Sequence, residues 1–325
     1  MKPPLIMGIL NVTPDSFSDG GKFYSVENAV AQGIQMMVDG ANIIDIGGES
    51  TRPNSEIISP ELEQQRVLPV ITALKPEAQK RGIIISIDTR NASTMREAVK
   101  AGAELINDIS ALTHDTDSLK TAAATNAQII LMHMQGTPQT MQQNPKYENV
   151  VQDVFKYLEQ RIADCVAAGI AKSRLIIDPG LGFGKTVEHN IALLSHAREF
   201  QKLGVPVLIG ASRKSFLAKL SSIEIDESTR GSGTPLPLRE GLGAGSAKTN
   251  EPLTKKNQLL SKLSKGFSIL SRKGRGSPHN LLPASLAAAI MAASQGAQIL
   301  RVHDVAETRE ALTVWQAFAH IDNNP

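Results

Sequence analysis

An α/β architecture follows from two features of the 325-residue sequence: eight short apolar runs fit for buried strands, and a helical pattern between nearly every consecutive pair. Strands separated by helical crossovers run parallel, and about eight such units close most naturally into a (β/α)8 barrel. A third feature supports closure over an open doubly wound sheet. Each apolar run ends in polar side chains, as expected if all strand ends converge on one rim, and no Gly-rich nucleotide turn follows the first strand.

The first run, Leu5 to Leu10, breaks into Asn11, Thr13, Asp15, Ser16, Ser18 and Asp19, punctuated by Pro14 and two glycines. Ser25 then reads as the N-cap of a helix to about Asp39 whose inner face is Val26, Ala29, Val30, Gly33, Ile34 and Met37. A second strand, Asn42 to Ile46, releases into Gly47-Gly-Glu-Ser-Thr-Arg-Pro53, and a helix begins near Pro60, where proline suits the first turn. Strand Ile83 to Asp88 is capped by Asp88, Thr89 and Arg90. A helix at Ser93 to Ala101 precedes strand Glu104 to Asp108, and another helix precedes Gln128 to His133. Helix 149–168 leads to Arg174 to Asp178, helix 187–202 to Val205 to Gly210, and Gln298 to Asp304 comes before a last helix. The barrel rim therefore gathers Asn11, Asp45, Asp88, Asn107, His133, Asp178 and Arg301.

One stretch breaks the rhythm. Between Ser228 and Asn280 ten basic side chains face two acidic ones, a net +8 that leaves −6 for the remainder of a chain whose total is +2. Its Gly, Ser and Pro content and one weak helical pattern near Leu259 to Leu270 predict a flexible or partly helical insertion after the seventh strand, within a single domain spanning 1–325. Tolerated loop expansion and a basic docking arm for an unidentified partner are both open, since lengthening a loop costs little entropy.

Composition excludes several classes. No apolar run approaches the ~20 residues of a membrane span, and no leader pattern opens the chain, so a cytoplasmic protein without membrane attachment is expected. The near-neutral overall balance gives no general case for nucleic acid. The only cysteine, Cys165, falls in an apolar helical pattern with Val154, Leu158, Ile162 and Val166 and reads as a packed thiol.

Two groups carry chemistry. Asp178-Pro-Gly-Leu-Gly-Phe-Gly-Lys-Thr186 is not a Walker A loop, because Pro179 stands where its first glycine belongs. Its glycines let a loop fold close over a ligand, with Asp178 as either a strand-end carboxylate or a turn cap. Lys214, in Gly210-Ala-Ser-Arg-Lys-Ser215, lies on the next unit and can frame a polar planar ligand with Asp178; a structural salt bridge is the alternative. Asp88 and Asn107 add an acceptor and an amide. The second group is suited to an anion: Arg301 and His303 share one face of a strand, with Asn11, Ser50, Thr51 and Arg52 nearby. Asn11 and Asp15 offer hard oxygens to Mg²⁺, held mainly through substrate phosphates and water. His133 reads as a packed core histidine more readily than as a ligand contact.

Together, Gly8-Ile-Leu-Asn-Val-Thr-Pro-Asp-Ser-Phe-Ser-Asp-Gly-Gly21, Gly48-Glu-Ser-Thr-Arg-Pro53, Ile87-Asp-Thr89, Ile106-Asn-Asp-Ile109, Asp178-Pro-Gly180, Gly182-Phe-Gly-Lys185, Ser212-Arg-Lys-Ser215 and Arg301-Val-His-Asp-Val305 resemble the dihydropteroate synthase family. The match runs in order through both ends of the chain. The resemblance implies a folate-pathway transferase that condenses 6-hydroxymethyl-7,8-dihydropterin diphosphate with 4-aminobenzoate, giving 7,8-dihydropteroate and pyrophosphate, and that is a sulfonamide target. It assigns pterin binding to Asp88, Asn107, Asp178 and Lys214, and the diphosphate and Mg²⁺ site to Asn11, Arg301 and His303, with Asn11 the metal ligand. The aminobenzoate pocket falls on Thr51, Arg52, Phe183 and Ser215. It also implies departure of the diphosphate before capture of the pterin methylene by the arylamine, under closing loops that exclude water, and a homodimer through outer helices, with Leu286 to Ala293 a candidate surface. Two departures stand out: Leu181 where an aromatic is commoner, and the long segment Lys219 to Pro283 before Pro283-Ala-Ser-Leu-Ala287. A methyltetrahydrofolate methyltransferase would have no need of the Ser-Arg-Lys and Arg-Val-His groups, and an inactive pterin-binding paralogue with a regulatory role would bind without turnover.

Overall fold

In the computed structural model, residues 3–13, 26–50, 57–222 and 281–321 are described. Eight strands alternate with helices in chain order: β1 (Leu5–Asn11), α1 (Val26–Asp39), β2 (Ile43–Gly47), α2 (Pro60–Arg81), β3 (Ile84–Asp88), α3 (Ala92–Ala101), β4 (Leu105–Asp108) and α4 (Ser118–Ala123). The second half comprises β5 (Gln128–Met132), α5 (Val150–Ala167), β6 (Leu175–Asp178), α6 (Val187–Ser195), β7 (Leu208–Ile209), α7 (Ser215–Ser221), α8 (Leu282–Ser294), β8 (Ile299–Val302) and α9 (Val305–Ile321). All pairings are parallel, in the order β6-β5-β4-β3-β2-β1-β8-β7. A single parallel bridge, Ile177 to Val207, brings the two ends of the sheet together, so the predicted (β/α)8 barrel forms.

The strands' period of two separates two cores. Residues pointing outward, such as Leu10, Ile44, Ile85, Ile106, Leu131 and Ile177, pack beneath the helices. Pointing inward, Met7, Ile43, Ile84, Leu105, Ile130, Ile176, Leu208 and Ile299 form one apolar layer with a residue from every strand. That layer plugs the barrel and becomes the floor of everything above it.

Two elements depart from expectation. The seventh strand is shorter than Val205 to Gly210 because Pro206 has no N–H for the ladder; only its carbonyl participates, accepting from Ile177 N–H at 3.0 Å. Helix 187–202 divides: α6 ends at Ser195, and a 3-10 turn covers Ala197–Leu203, with the His196 ring bonding back to Ala192 O at 2.8 Å. α1 buries Met36 alongside the predicted Ala29, Gly33 and Met37. Cys165 is buried, as expected of a packed thiol, and burial pushes its pKa up to about 11. No helix among the described residues is long and apolar enough to cross a membrane. The expected Ser25 cap, the loop 14–25, and the 228–280 insertion lie outside the described residues.

Candidate active site

Two residues further along five of the eight strands from the apolar plug, the barrel interior becomes polar; β1, β5 and β7 place Ile9, Met132 and Gly210 there. Ile43 is followed by Asp45, Ile84 by Ser86 and then Asp88, Leu105 by Asn107, Ile176 by Asp178, and Ile299 by Arg301 and then His303. Asp45, fully buried, accepts from Ser86 Oγ at 2.6 Å, Asn107 Nδ2 at 3.0 Å and Arg301 Nε at 2.6 Å. Arg301 Nη2 donates to Asp88 Oδ2 at 2.5 Å, so one guanidinium is held flat by carboxylates from two other strands. Burial, with the charges of Asp45, Glu63 and Asp108, pushes the Asp88 pKa up to about 7, while Arg301 opposes the rise.

Asp178 projects from β6 into the same layer. Its Oδ1 accepts from Gly180 N–H at 2.7 Å. Gly210 has no side chain between this carboxylate and Arg301: a Cβ there would sit 3.6 Å from Arg301 Cβ and 3.9 Å from Asp178 Oδ2. An acceptor and a cation therefore flank Gly210. Lys214, the residue before α7, donates to the Leu181 carbonyl and lies 4.5 Å from the centre of the Phe183 ring. Burial pushes the Lys214 pKa down to about 8, against the pull of Asp178. The charges of Asp178 and Lys214 therefore stabilise each other across two strand ends.

Above this layer stand Asn11, which ends β1, and His303, beyond β8. Ser212 Oγ accepts from His303 N–H at 3.2 Å and lies 3.1 Å from its Nδ1. Arg213 Nε donates to Asp304 Oδ2 at 3.1 Å, and Arg213 N–H donates to Ser285 Oγ at 3.0 Å. The turn carrying Lys214 is thereby tied to β8 and α8. Ser215 opens α7 on the exposed side, whereas Thr51, Arg52 and Asp15 lie outside the described residues.

Among the described residues, no three acidic, imidazole or thiol side chains gather into a metal-holding group. The only hard oxygen donor at the upper rim on β1 is the Asn11 amide. That donor set fits Mg²⁺, which retains waters and is held by one or two protein oxygens together with substrate phosphates.

The comparisons with known proteins decide the family. A family model described as "Pterin binding enzyme" matches residues 7–247. The dihydropteroate synthase of Haemophilus influenzae is 42% identical over 317 residues, covering 98% of this chain and 94% of that protein. That of Escherichia coli K12 is 41% identical over 314 residues, covering 97% and 91%. The chain belongs to the dihydropteroate synthase family.

Solved dihydropteroate synthases agree. The Xanthomonas albilineans enzyme with 4-aminobenzoic acid superposes with a TM-score of 0.76 at 39% identity, covering 98% of this chain and 94% of that one. The same enzyme in complex with 7,8-dihydropteroate gives 0.73 at 38%, with coverage of 98% and 94%. A Yersinia pestis enzyme in a sulfonamide complex gives 0.77 at 38%, covering 98% and 95%. As a dihydropteroate synthase family member, this chain is a transferase of the folate pathway. Leu181, where the family pattern favours an aromatic, is fully buried beneath the glycine-rich loop.

The structure gathers Asp88, Asn107, Asp178 and Arg301 at one end of the barrel interior, with Lys214 against Phe183 beside Asp178 and with Asn11 and His303 at the strand ends. It also joins what the sequence divides into two groups, since Arg301 is paired to Asp45 and Asp88 instead of standing apart with His303. Asp45, which the sequence placed at the rim, and Lys185, which it placed in the glycine-rich motif, were given no role in the site there. Asp45 had a signal in its place two residues after Ile43, within an otherwise apolar strand. Lys185 had one in its place in Gly182-Phe-Gly-Lys185, which does not say what it bonds.

Lys185 is 3% exposed, with Nζ 2.9 Å from Phe183 O, 3.0 Å from His133 Nδ1 and 3.3 Å from His133 O. Burial pushes its pKa down to about 7, against the pull of Asp178. His133 is buried as expected, edge-on to the Tyr157 ring at 4.8 Å, and burial together with the Lys185 charge pushes its pKa down to about 3. Neutral His133 with Lys185 as donor carries its proton on Nε2.

Proposed function

We propose that this chain is a working dihydropteroate synthase: it joins 6-hydroxymethyl-7,8-dihydropterin diphosphate to 4-aminobenzoate, releasing pyrophosphate and 7,8-dihydropteroate. The observation that carries the reading is the layer of polar groups above the apolar plug, where Arg301 is bonded to Asp45 and Asp88, Asn107 is bonded to Asp45, and Asp178 stands between Arg301 and Lys214 in charge. Its chemistry matches a flat heterocycle. Asp178 accepts from the amino-amidine edge of the pterin, Lys214 donates to its carbonyl oxygen, and Asp88 and Asn107 satisfy the remaining polar edge. Arg301 offers its face to the ring, with Nε and one Nη2 N–H engaged by Asp45 and Asp88 and its other donors left for an anion.

In the reaction, the bond between the pterin methylene and the diphosphate oxygen breaks with its electrons on the diphosphate. The arylamine nitrogen then bonds to the methylene and loses a proton. No side-chain nucleophile is required; what the residues supply is charge stabilisation and exclusion of water. Arg301, His303 and Asn11 stabilise the departing diphosphate, with Ser212 fixing His303. Asn11 is the protein ligand we assign to Mg²⁺, which supplies further neutralisation of diphosphate charge when bound. Phe183, Ser215, Thr51 and Arg52 form the aminobenzoate side, where a sulfonamide competes. The 4-aminobenzoic acid and sulfonamide complexes of the two solved relatives support that reading.

The same reading makes the protein a cytoplasmic homodimer formed through outer helices, with the basic 228–280 segment available to a further partner. The deciding experiment measures pyrophosphate and dihydropteroate formation with and without Mg²⁺, using Lys214→Ala as control. Magnesium-dependent formation of both products, lost in the variant, is expected. Tight pterin binding without product would overturn the reading in favour of an inactive pterin-binding paralogue.

A further inference from the structure

Four consecutive carbonyls in the glycine-rich loop after β6 each accept a hydrogen bond from a side chain, three of them from outside the loop and one from Lys185 at its own end. Lys214 donates to Leu181 O, Gln142 Nε2 to Gly182 O at 2.7 Å, Lys185 to Phe183 O at 2.9 Å, and the Tyr147 hydroxyl to Gly184 O at 2.8 Å. Two amides are fixed as well: Gly180 N–H donates to Asp178 Oδ1, and Gly182 N–H to Asn190 Oδ1 at 2.6 Å. A surface loop ordinarily leaves such groups to water and stays mobile. Here the backbone is held by side chains from β6, α6 and the segments after β5 and β7, before any substrate arrives.

Geometry leaves little alternative to this path. Gly180 has φ of 70°, and a Cβ would lie 1.9 Å from His133 O; at Gly184 a Cβ would lie 2.6 Å from Gln135 O. The loop therefore presses its backbone directly onto the end of β5. Lys185 is the buried fastener at that junction. An ammonium has three N–H groups, and acceptors stand on both sides of the seam: Phe183 O on the loop, His133 O and Nδ1 on β5's extension. Buried and surrounded by these three polar atoms, Lys185 is turned to the seam.

We propose that Lys185 is a positioning residue for the aminobenzoate side of the site, fixing the Phe183 peptide so that its ring stays against Lys214. The inference rests on the synthase reading above and adds a function for a lysine that the chemistry itself does not use. A fastened loop presents the ring without an ordering cost at binding, so the benefit appears as affinity for the second substrate.

The test is steady-state kinetics of Lys185→Met, Phe183→Ala and the double variant in the full chain. Lys185→Met is expected to raise the KM for 4-aminobenzoate about tenfold and to change that for the pterin diphosphate by less than about twofold. Added to Phe183→Ala, it should raise the 4-aminobenzoate KM no further, because the ring it positions is gone. Equal increases for both substrates, or full additivity in the double variant, would overturn the proposal and leave Lys185 a general structural lysine. Should the methionine variant not fold, Tyr147→Phe removes one hydroxyl from the same fastening and should give a selective rise of about threefold; an absent or unselective rise overturns the proposal equally. A wild-type chain that forms no dihydropteroate would overturn the synthase reading and this inference with it.

Discussion

Two layers of the same barrel, one residue pair apart along the same strands, have opposite characters. In the lower layer Met7, Ile43, Leu105, Ile130, Ile176, Leu208 and Ile299 pack without a polar atom among their side chains. In the upper one Asp45, Ser86, Asn107, Asp178 and Arg301 are almost as deeply enclosed, yet every named partner is a hydrogen bond or an ion pair. The lower layer gains stability from burial, roughly 1.5–3 kcal/mol for each large side chain. The upper layer incurs desolvation costs that its internal pairs offset, and its purpose is to present fixed charge to a ligand. The lower layer makes that possible by excluding water from beneath.

The contrast can be broken most severely at the acceptor. Asp178→Ala should reduce kcat/KM by about 10³-fold or more, on the order of 4 kcal/mol of transition-state stabilisation, with thermal stability kept or raised. Comparing kinetics with a melting curve tests this, and a large fall in stability would count against a ligand-facing role. Arg301→Met comes next. It leaves Asp45 and Asp88 buried without their cation and should cost about 3–5 kcal/mol by denaturant unfolding, in addition to activity. Adding Asp45→Asn should recover part of that loss.

A change below the polar layer sharpens the comparison from the other side. Leu105→Ala should destabilise by about 2–5 kcal/mol while leaving both KM values within about twofold, because its cavity lies beneath the site. A KM shift without destabilisation would contradict the division of labour between the layers. The smallest effect concerns His133, whose folded pKa of about 3 lies below its ordinary 6.5. The unfolded chain therefore binds the extra proton first as pH falls, and stability is present above pH 6.5 and lost progressively toward pH 3. Between pH 6.5 and about 5 that is about 2 kcal/mol. Unfolding midpoints in His133→Gln should lose this component of the pH dependence.

Strand and helix periodicity exposed the barrel because the alternation of apolar runs with helical crossovers is local information, as at Ile43 to Gly47 or Val150 to Ala167. It did not reveal the break at His196 or the shortness of β7. The first accompanies the His196 ring bonding back to Ala192 O, and the second depends on which backbone groups find a partner across the sheet, which Pro206 decides only once β6 is beside it. Motif residues at strand ends, Asp88, Asn107, Asp178, Lys214 and Arg301, were legible for the same reason as the strands. Arg301's true partners were not, since Asp45 and Asp88 are more than two hundred residues away in the chain.

By itself, then, the sequence determined the order of elements, the inward or outward direction of each strand residue, and the chemistry collected at the rim, because each follows from spacing along one segment. Only the tertiary structure decided that Arg301 is shared by two carboxylates, that Gly210 stands between Arg301 and Asp178, and that Lys185 bridges the Phe183 carbonyl and His133 at the end of β5. Each of these is a distance between segments. Closing the barrel sets such distances, because closure brings strands remote in sequence to within hydrogen-bond reach.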